Sequence, residues 1–222
     1  MTRARDVSRL ITTPPSIYAT DSEASSGFLS LSSASSTYQT KSSTGLTLLT
    51  PTSIANTGGT ASIGTNGTVS FSSASAISLN DVFSTTYTHY KVVFYLVNSG
   101  FAGLQLRYRV SGSDYSGADY FTSKIYISDS FNPTKAKESS QTSSNIGPLW
   151  GGHNSYSYDI FNPFITTRTQ IVGTLNSLVD FSTWETHLIG GLLNTATSYT
   201  GFTIYPSSGN FTGSISVYGY NK

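Results

Sequence analysis

Three histidines, eleven carboxylates and a large set of aromatic rings are the side chains of this 222-residue chain that could do chemistry. A metal centre needs two or three imidazoles converging, usually with a carboxylate. His89, His153 and His187 show no ligand spacing, so they read as surface or satisfied core histidines. The chain has no cysteine, which removes disulfides, thiolate nucleophiles and thiolate metal sites. A pair of carboxylates could hydrolyse a glycoside, and Asp114, Asp119, Asp159, Asp180 and Glu185 are the candidates. Asp114 sits in a Ser-Gly-Ser-Asp-Tyr-Ser-Gly turn, with Asp119 just beyond it, where aspartate serves turn geometry. Serine is abundant, but no G-x-S-x-G elbow presents one as a nucleophile. The Gly- and Thr-rich stretch 56–67 lacks the Gly-Lys-Ser/Thr ending of a phosphate loop. The residues therefore point to no catalytic class, and the expectation is a non-enzyme without a cofactor or metal.

The aromatic rings are more informative. Tyr115, Tyr120, Trp150, Tyr156, Tyr158 and Trp184 border loops or alternate along strands. Such rings either fill a core or stack on sugar rings as rigid contact area. Trp150 stands out, since it follows a long polar stretch and precedes Gly151, Gly152, His153 and Asn154. Tyr115, Tyr120, Trp150 and His153 are the receptor-binding candidates. Arg107 and Arg109 share one face of a strand and could meet carboxylates of a neighbouring subunit, an anionic glycan, or only solvent.

The elements that must position these residues are strands. Composition favours them: 15 Tyr and 12 Phe accompany many Thr, Val and Ile, and only 10% of residues are charged. Residues 90–97 form the most apolar run and suit a central strand. Leu104, Leu106, Tyr108 and Val110 alternate with Gln105, Arg107 and Arg109, a half-buried strand. Ile125 and Ile127 alternate with Lys124 and Tyr126. Residues 128–148 read as a long exposed loop. Near the end, Phe202 and Ile204, then Ile215 and Val217, flank the turn signal Pro206-Ser207-Ser208-Gly209-Asn210, read as a closing hairpin. About eight or nine strands result, with no helical period after Val82. The expected architecture is all-β, an antiparallel β-sandwich of jelly-roll type over residues 68–222. Val92, Phe94, Leu96, Leu106, Ile171, Phe202, Ile204, Ile215 and Val217 should lie in its core.

Residues 1–67 read differently, as an extended and mostly irregular attachment segment. Its Ser-rich middle offers little to bury and needs contact with other chains to become ordered. Residues 45–49 could form a first strand. Residues Thr2 to Ile11 suit a short helix carrying Arg3, Arg5 and Arg9 with Val7, Leu10 and Ile11, an anchor against a partner. A net charge of +1 argues against nucleic acid as that partner. No apolar run is long enough for a membrane span, and the opening residues lack the apolar core of a secretory signal.

Three segments together resemble tail-fibre-like virion structural proteins of tailed phages of marine cyanobacteria. They are the opening Met-Thr-Arg-Ala-Arg-Asp-Val, the stretch Ser-Ala-Ser-Ser-Thr-Tyr-Gln-Thr-Lys at 33–41, and phrases of the C-terminal half. Those phrases are Asp81-Val82-Phe83 with Tyr87 and Tyr90, then Leu-Arg-Tyr-Arg-Val-Ser-Gly at 106–112, and the Pro-Ser-Ser-Gly-Asn turn before Val217-Tyr218-Gly219. The resemblance implies a short N-terminal attachment region, a β-sandwich head and a homotrimer, and it brings no catalytic residues. The expected place is the virion, on a tail appendage. The expected partners are other virion proteins, of the tail or adaptor, and a host-surface glycan. A capsid decoration or head-fibre protein is the alternative, and a carbohydrate-active enzyme the third.

Overall fold

The computed structural model describes residues 45–98, 100–128, 132–178 and 184–221. The anchor residues Arg3, Arg5, Val7, Arg9, Leu10 and Ile11 lie outside them, as does Asp180. The described chain is all-β: β1 (Leu46–Leu49), β2 (Ser53–Thr57), β3 (Thr60–Ile63), β4 (Val69–Ala74), β5 (Ala76–Asn80), β6 (His89–Asn98), β7 (Ala102–Val110), β8 (Ser113–Asp114), β9 (Tyr120–Ile127), β10 (Thr134–Gln141), β11 (Ser144–Leu149), β12 (His153–Phe161), β13 (Thr167–Leu178), β14 (Trp184–Thr197), β15 (Gly201–Pro206) and β16 (Phe211–Tyr220). All pairings are antiparallel.

A ten-stranded sheet runs β10-β9-β14-β13-β12-β6-β16-β4-β3. One edge of β16 pairs with β6, and the other is shared, by β4 along residues 211–215 and by β1 along 217–220. The smaller sheet runs β11-β7-β15-β5-β2, with β8 continuing beside β7. The two sheets enclose one apolar core. All nine residues expected in that core are buried.

Three expectations change. The last two strands do not form a hairpin: β15 belongs to the smaller sheet and β16 to the larger. The turn between them arches from one sheet to the other, so Phe202 and Ile204 join Ile215 and Val217 in one core. Alternation sets which face is buried, and it is the same for a hairpin and an arch. Second, residues 128–148 are not simply a loop, because they contain β10 and most of β11. β10 reads TKAKESSQ, and an edge strand with one neighbour needs no apolar face. Third, β1, β2 and β3 lie in the sheets, so the sandwich begins at Gly45 and not at 68. Among the described residues there are sixteen strands rather than eight or nine.

Buried tyrosines tie the layers together. Tyr156 and Tyr158 of β12 donate their hydroxyls to the Pro148 and Ile146 carbonyls of β11, one sheet to the other. Burial pushes both phenols well up from their ordinary range. On the outer side of the smaller sheet, Arg109 pairs with Asp114 and reaches Ser78 Oγ at 3.0 Å, Thr203 Oγ1 at 2.8 Å and Asn80 Oδ1 at 2.9 Å. Arg107 lies over the Tyr205 ring and donates to the Thr142 carbonyl at 3.0 Å. Both arginines are thus engaged within the chain.

Candidate functional site

The larger sheet extends past the edge of the smaller one. At that end β11 is the edge strand of the smaller sheet and packs on β9, β13 and β14. Gly147 permits this: its φ is +126°, and an added Cβ would overlap Leu175 Cδ2. Thr122 and Ser144 hydroxyls meet at 3.1 Å across the same contact.

Beside this contact a cleft of about 410 Å³ opens between β11 and the inner faces of β9, β10 and β14. One wall is aromatic. Phe101 packs on Trp150 with ring centroids 4.1 Å apart, and Phe101 is 62% exposed. The opposite wall carries Lys124, Tyr126, Glu185 and His187. Alternation explains their grouping, because 124 and 126 share one face of β9 while 185 and 187 share the matching face of β14. The register places His187 opposite Tyr126, and the two rings stack at 4.7 Å. His187 Nε2 lies 2.9 Å from Glu185 Oε2. Burial lowers the imidazole pKa, opposed by the Glu185 carboxylate and reinforced by the Lys124 ammonium. His187 Nδ1 and Trp150 Nε1 are buried without a hydrogen-bond partner among the described residues. A wall of exposed aromatic ring facing an ammonium, a carboxylate and the Asn145 amide suits a polyhydroxylated ring.

The four sequence candidates are separated. Trp150 lines the cleft, although Phe101 shields one face of its ring. His153 is exposed and stacks on Tyr95 at 5.6 Å, with Nδ1 bonded to the Tyr95 hydroxyl. Tyr115 is half-buried and donates its hydroxyl to Asp119, which raises its pKa. Tyr120 is corrected outright: it is 1% exposed and accepts from the Tyr108 amide at 3.0 Å. Its hydroxyl donates to the Tyr115 carbonyl at 2.9 Å, so it belongs to the core. Tyr156 and Tyr158 are buried too, whereas Trp184 is 55% exposed.

The candidate carboxylates have local duties. Asp114 holds Arg109, Asp119 holds Tyr115, and Glu185 holds His187. Asp159 takes Lys91 at 3.0 Å together with the Tyr220 hydroxyl. Among the described residues no three His, Cys, Asp or Glu side chains gather as a metal site. Sequence reading missed the cluster of Lys124, Tyr126, Glu185 and His187. Its signal was the alternation of Lys124 and Tyr126 with Ile125 and Ile127, and of Glu185 and His187 with Thr186 and Leu188.

No protein-family model and no curated protein matches the chain. Among solved structures it is similar to arcelin-5, a lectin-like defense protein from Phaseolus vulgaris. That match has 7% identity, covers 80% of this chain and 98% of the other, and has a TM-score of 0.22. It is also similar to the binding domain of botulinum neurotoxin serotype G, at 10% identity over 82% of this chain and 45% of that one, with a TM-score of 0.21. Neither likeness carries a functional argument.

Proposed function

We propose that this chain is a binding protein of a tailed-phage virion. It is carried on a tail appendage by the segment before β1 and presents the sandwich to a glycan of the host surface. The observation that carries the binding part is the cleft, where the exposed Phe101 ring packed on Trp150 faces Lys124, Glu185 and Asn145. Aromatic rings take the C–H face of a sugar, while the ammonium and amide donate to hydroxyls and the carboxylate accepts from them. The attachment part rests on the resemblance of the N-terminal segments, with Arg3, Arg5 and Arg9 orienting the anchor and Val7, Leu10 and Ile11 seating it on a tail or adaptor protein. Trimerisation would multiply weak contacts into avidity.

Calorimetric titration of the full chain with host-envelope polysaccharide tests the reading. Saturable binding is expected. Phe101→Ser should cost about 1 kcal/mol, about fivefold in affinity, without loss of fold because the ring is largely exposed. Absence of binding, or binding indifferent to Phe101→Ser, would overturn it.

A further inference from the structure

The outer surface of the same three strands is built the other way round. Ile125, Ile127 and Leu188 are 50%, 44% and 54% exposed, and Val172 beside them is 39% exposed. Register joins them: Ile125 stands opposite Leu188, and Val172 opposite Gly190. Gly190 leaves a dip between these side chains, and the result is an apolar trough of about 590 Å³. A neighbouring depression of about 400 Å³ extends it, sharing Ser123, Lys137, Val172 and Gly190. Lys135 and Lys137 of β10 form its rim, opposite Ile125 and Ser123 in register.

Charge says what could lie there. Among the described residues the ion pairs are Lys91–Asp159, Arg109–Asp114 and His187–Glu185. The remaining described carboxylates are held by hydroxyls or an amide: Asp81 by Thr52, Asp119 by Tyr115 and Glu138 by Asn145. Lys135 and Lys137 therefore have no carboxylate partner among the described residues, and they stand at the edge of an apolar floor. A second copy docked face to face would bring lysine toward lysine, with every described acid already occupied. An extended peptide lying in the trough would need backbone partners, but there β9 and β14 are paired on both edges, and the free edge of β10 lies beyond the lysine rim. An acyl chain needs none.

We propose that this trough binds an anionic lipid, its acyl chain lying over Gly190 between Ile125, Leu188 and Val172 and its phosphate held by Lys135 and Lys137. The site is separate from the glycan cleft, lying on the opposite face of β9, β10 and β14. Apolar contact and lysine attraction act together at such a surface, as they do in peripheral membrane binding.

Co-sedimentation of the full chain with phosphatidylcholine vesicles, with and without phosphatidylglycerol, tests it. Binding is expected only with phosphatidylglycerol. The pair Lys135→Gln and Lys137→Gln should weaken it roughly 25-fold, about fivefold per lysine. Gly190→Leu fills the trough; its Cβ would meet nothing closer than Ser123 Oγ at 3.7 Å, so the fold should persist. It should weaken binding at least about tenfold. Should that variant misfold, Leu188→Ser gives the same arm from an exposed position. Equal binding to both vesicles overturns the proposal. So does binding lost with the lysines but unchanged by Gly190→Leu or Leu188→Ser, which would mean surface charge alone. Self-association abolished by Gly190→Leu without lipid binding would assign the trough to a second copy and overturn it as well.

Discussion

Along β16 and β12 the residues pointing away from the smaller sheet include Ser214, Ser216, Ser155 and Ser157, and those pointing toward it include Ile215, Val217, Tyr156 and Tyr158. Along segments 124–127 of β9 and 185–188 of β14 the outward residues include Ile125, Ile127 and Leu188, and the inward ones include Lys124, Tyr126, Glu185 and His187. Farther along the same inward face, Tyr120, Ile189 and Leu193 belong to the core. One sheet thus carries two opposite polarities. Where a second layer covers it, burial decides, and apolar side chains face the layer. Where the sheet extends past that layer, no core demands apolar residues inside, and polar ones line a cleft. The apolar side chains turned outward at that end serve no internal packing. A local break in an otherwise consistent pattern marks a site more often than an error.

If this contrast is right, truncating a core ring on the covered side should have the largest effect on stability. Phe202 is fully buried and packs with Phe83 at 5.8 Å and Phe94 at 6.3 Å. Phe202→Ala should cost about 3–5 kcal/mol in urea unfolding. Leu188→Ser at the uncovered end should stay within about 0.5 kcal/mol of the parent. A comparable loss from both would show that Leu188 is covered in the isolated protein, and the contrast would fail.

Two glycines of the larger sheet with three strands between them, Gly213 on β16 and Gly190 on β14, sharpen the point with a smaller effect. A Cβ on Gly213 would overlap the Tyr95 carbonyl, so Gly213→Ala should destabilise by about 1–3 kcal/mol. The methyl of Gly190→Ala would meet only Ser123 Oγ, at an ordinary contact of 3.7 Å, and should change stability by less than about 0.5 kcal/mol. Thermal unfolding of the two variants side by side reads the difference. Smaller again is Tyr158→Phe, which removes the donor to the Ile146 carbonyl and should cost about 1 kcal/mol. A cost indistinguishable from zero would mean that this phenol does not help to hold the layers together.

The strands with a buried face were legible in the sequence and the edge strands β2, β3 and β10 were not, for one physical reason. Val92, Phe94 and Leu96 alternate with more exposed residues, and alternation is the imprint of a buried face. β10 has no such imprint, since its stability comes from backbone pairing with β9, which any sequence can make. β2 and β3 are hidden by the same cause. Trp150 was found because an aromatic among glycines is conspicuous, but Phe101 was missed because its role depends on the cleft that β11 helps to wall. Tyr120 misled, since a tyrosine at a strand start suits rim and core equally. Its burial follows from the bonds it makes to Tyr108 and Tyr115.

The subtlest consequence of the contrast concerns His187, which is 3% exposed although it faces the cleft. Its unfolded pKa is near 6.5, and burial lowers the folded value despite the Glu185 carboxylate. The folded protein therefore binds this proton less readily than the unfolded chain. Stability must then rise with pH wherever the unfolded chain holds the proton and the folded one does not. The contribution of neutral His187 is complete above about pH 6.5. It is lost as pH falls from there toward the folded pKa, below which it stays flat. Urea midpoints taken from pH 7.5 down to about 5.5 should fall, and His187→Gln should remove that part of the slope whatever its own cost in stability. The neighbours make the test specific. Lys124 helps to lower this pKa, so Lys124→Gln should make the slope shallower. Lys135 and Lys137 line the outer trough instead, and their glutamine variants should leave the slope as it is. A slope that responds equally to all three lysines would mean that the two faces of these strands do not act separately. A slope that survives His187→Gln would place its origin outside the cleft.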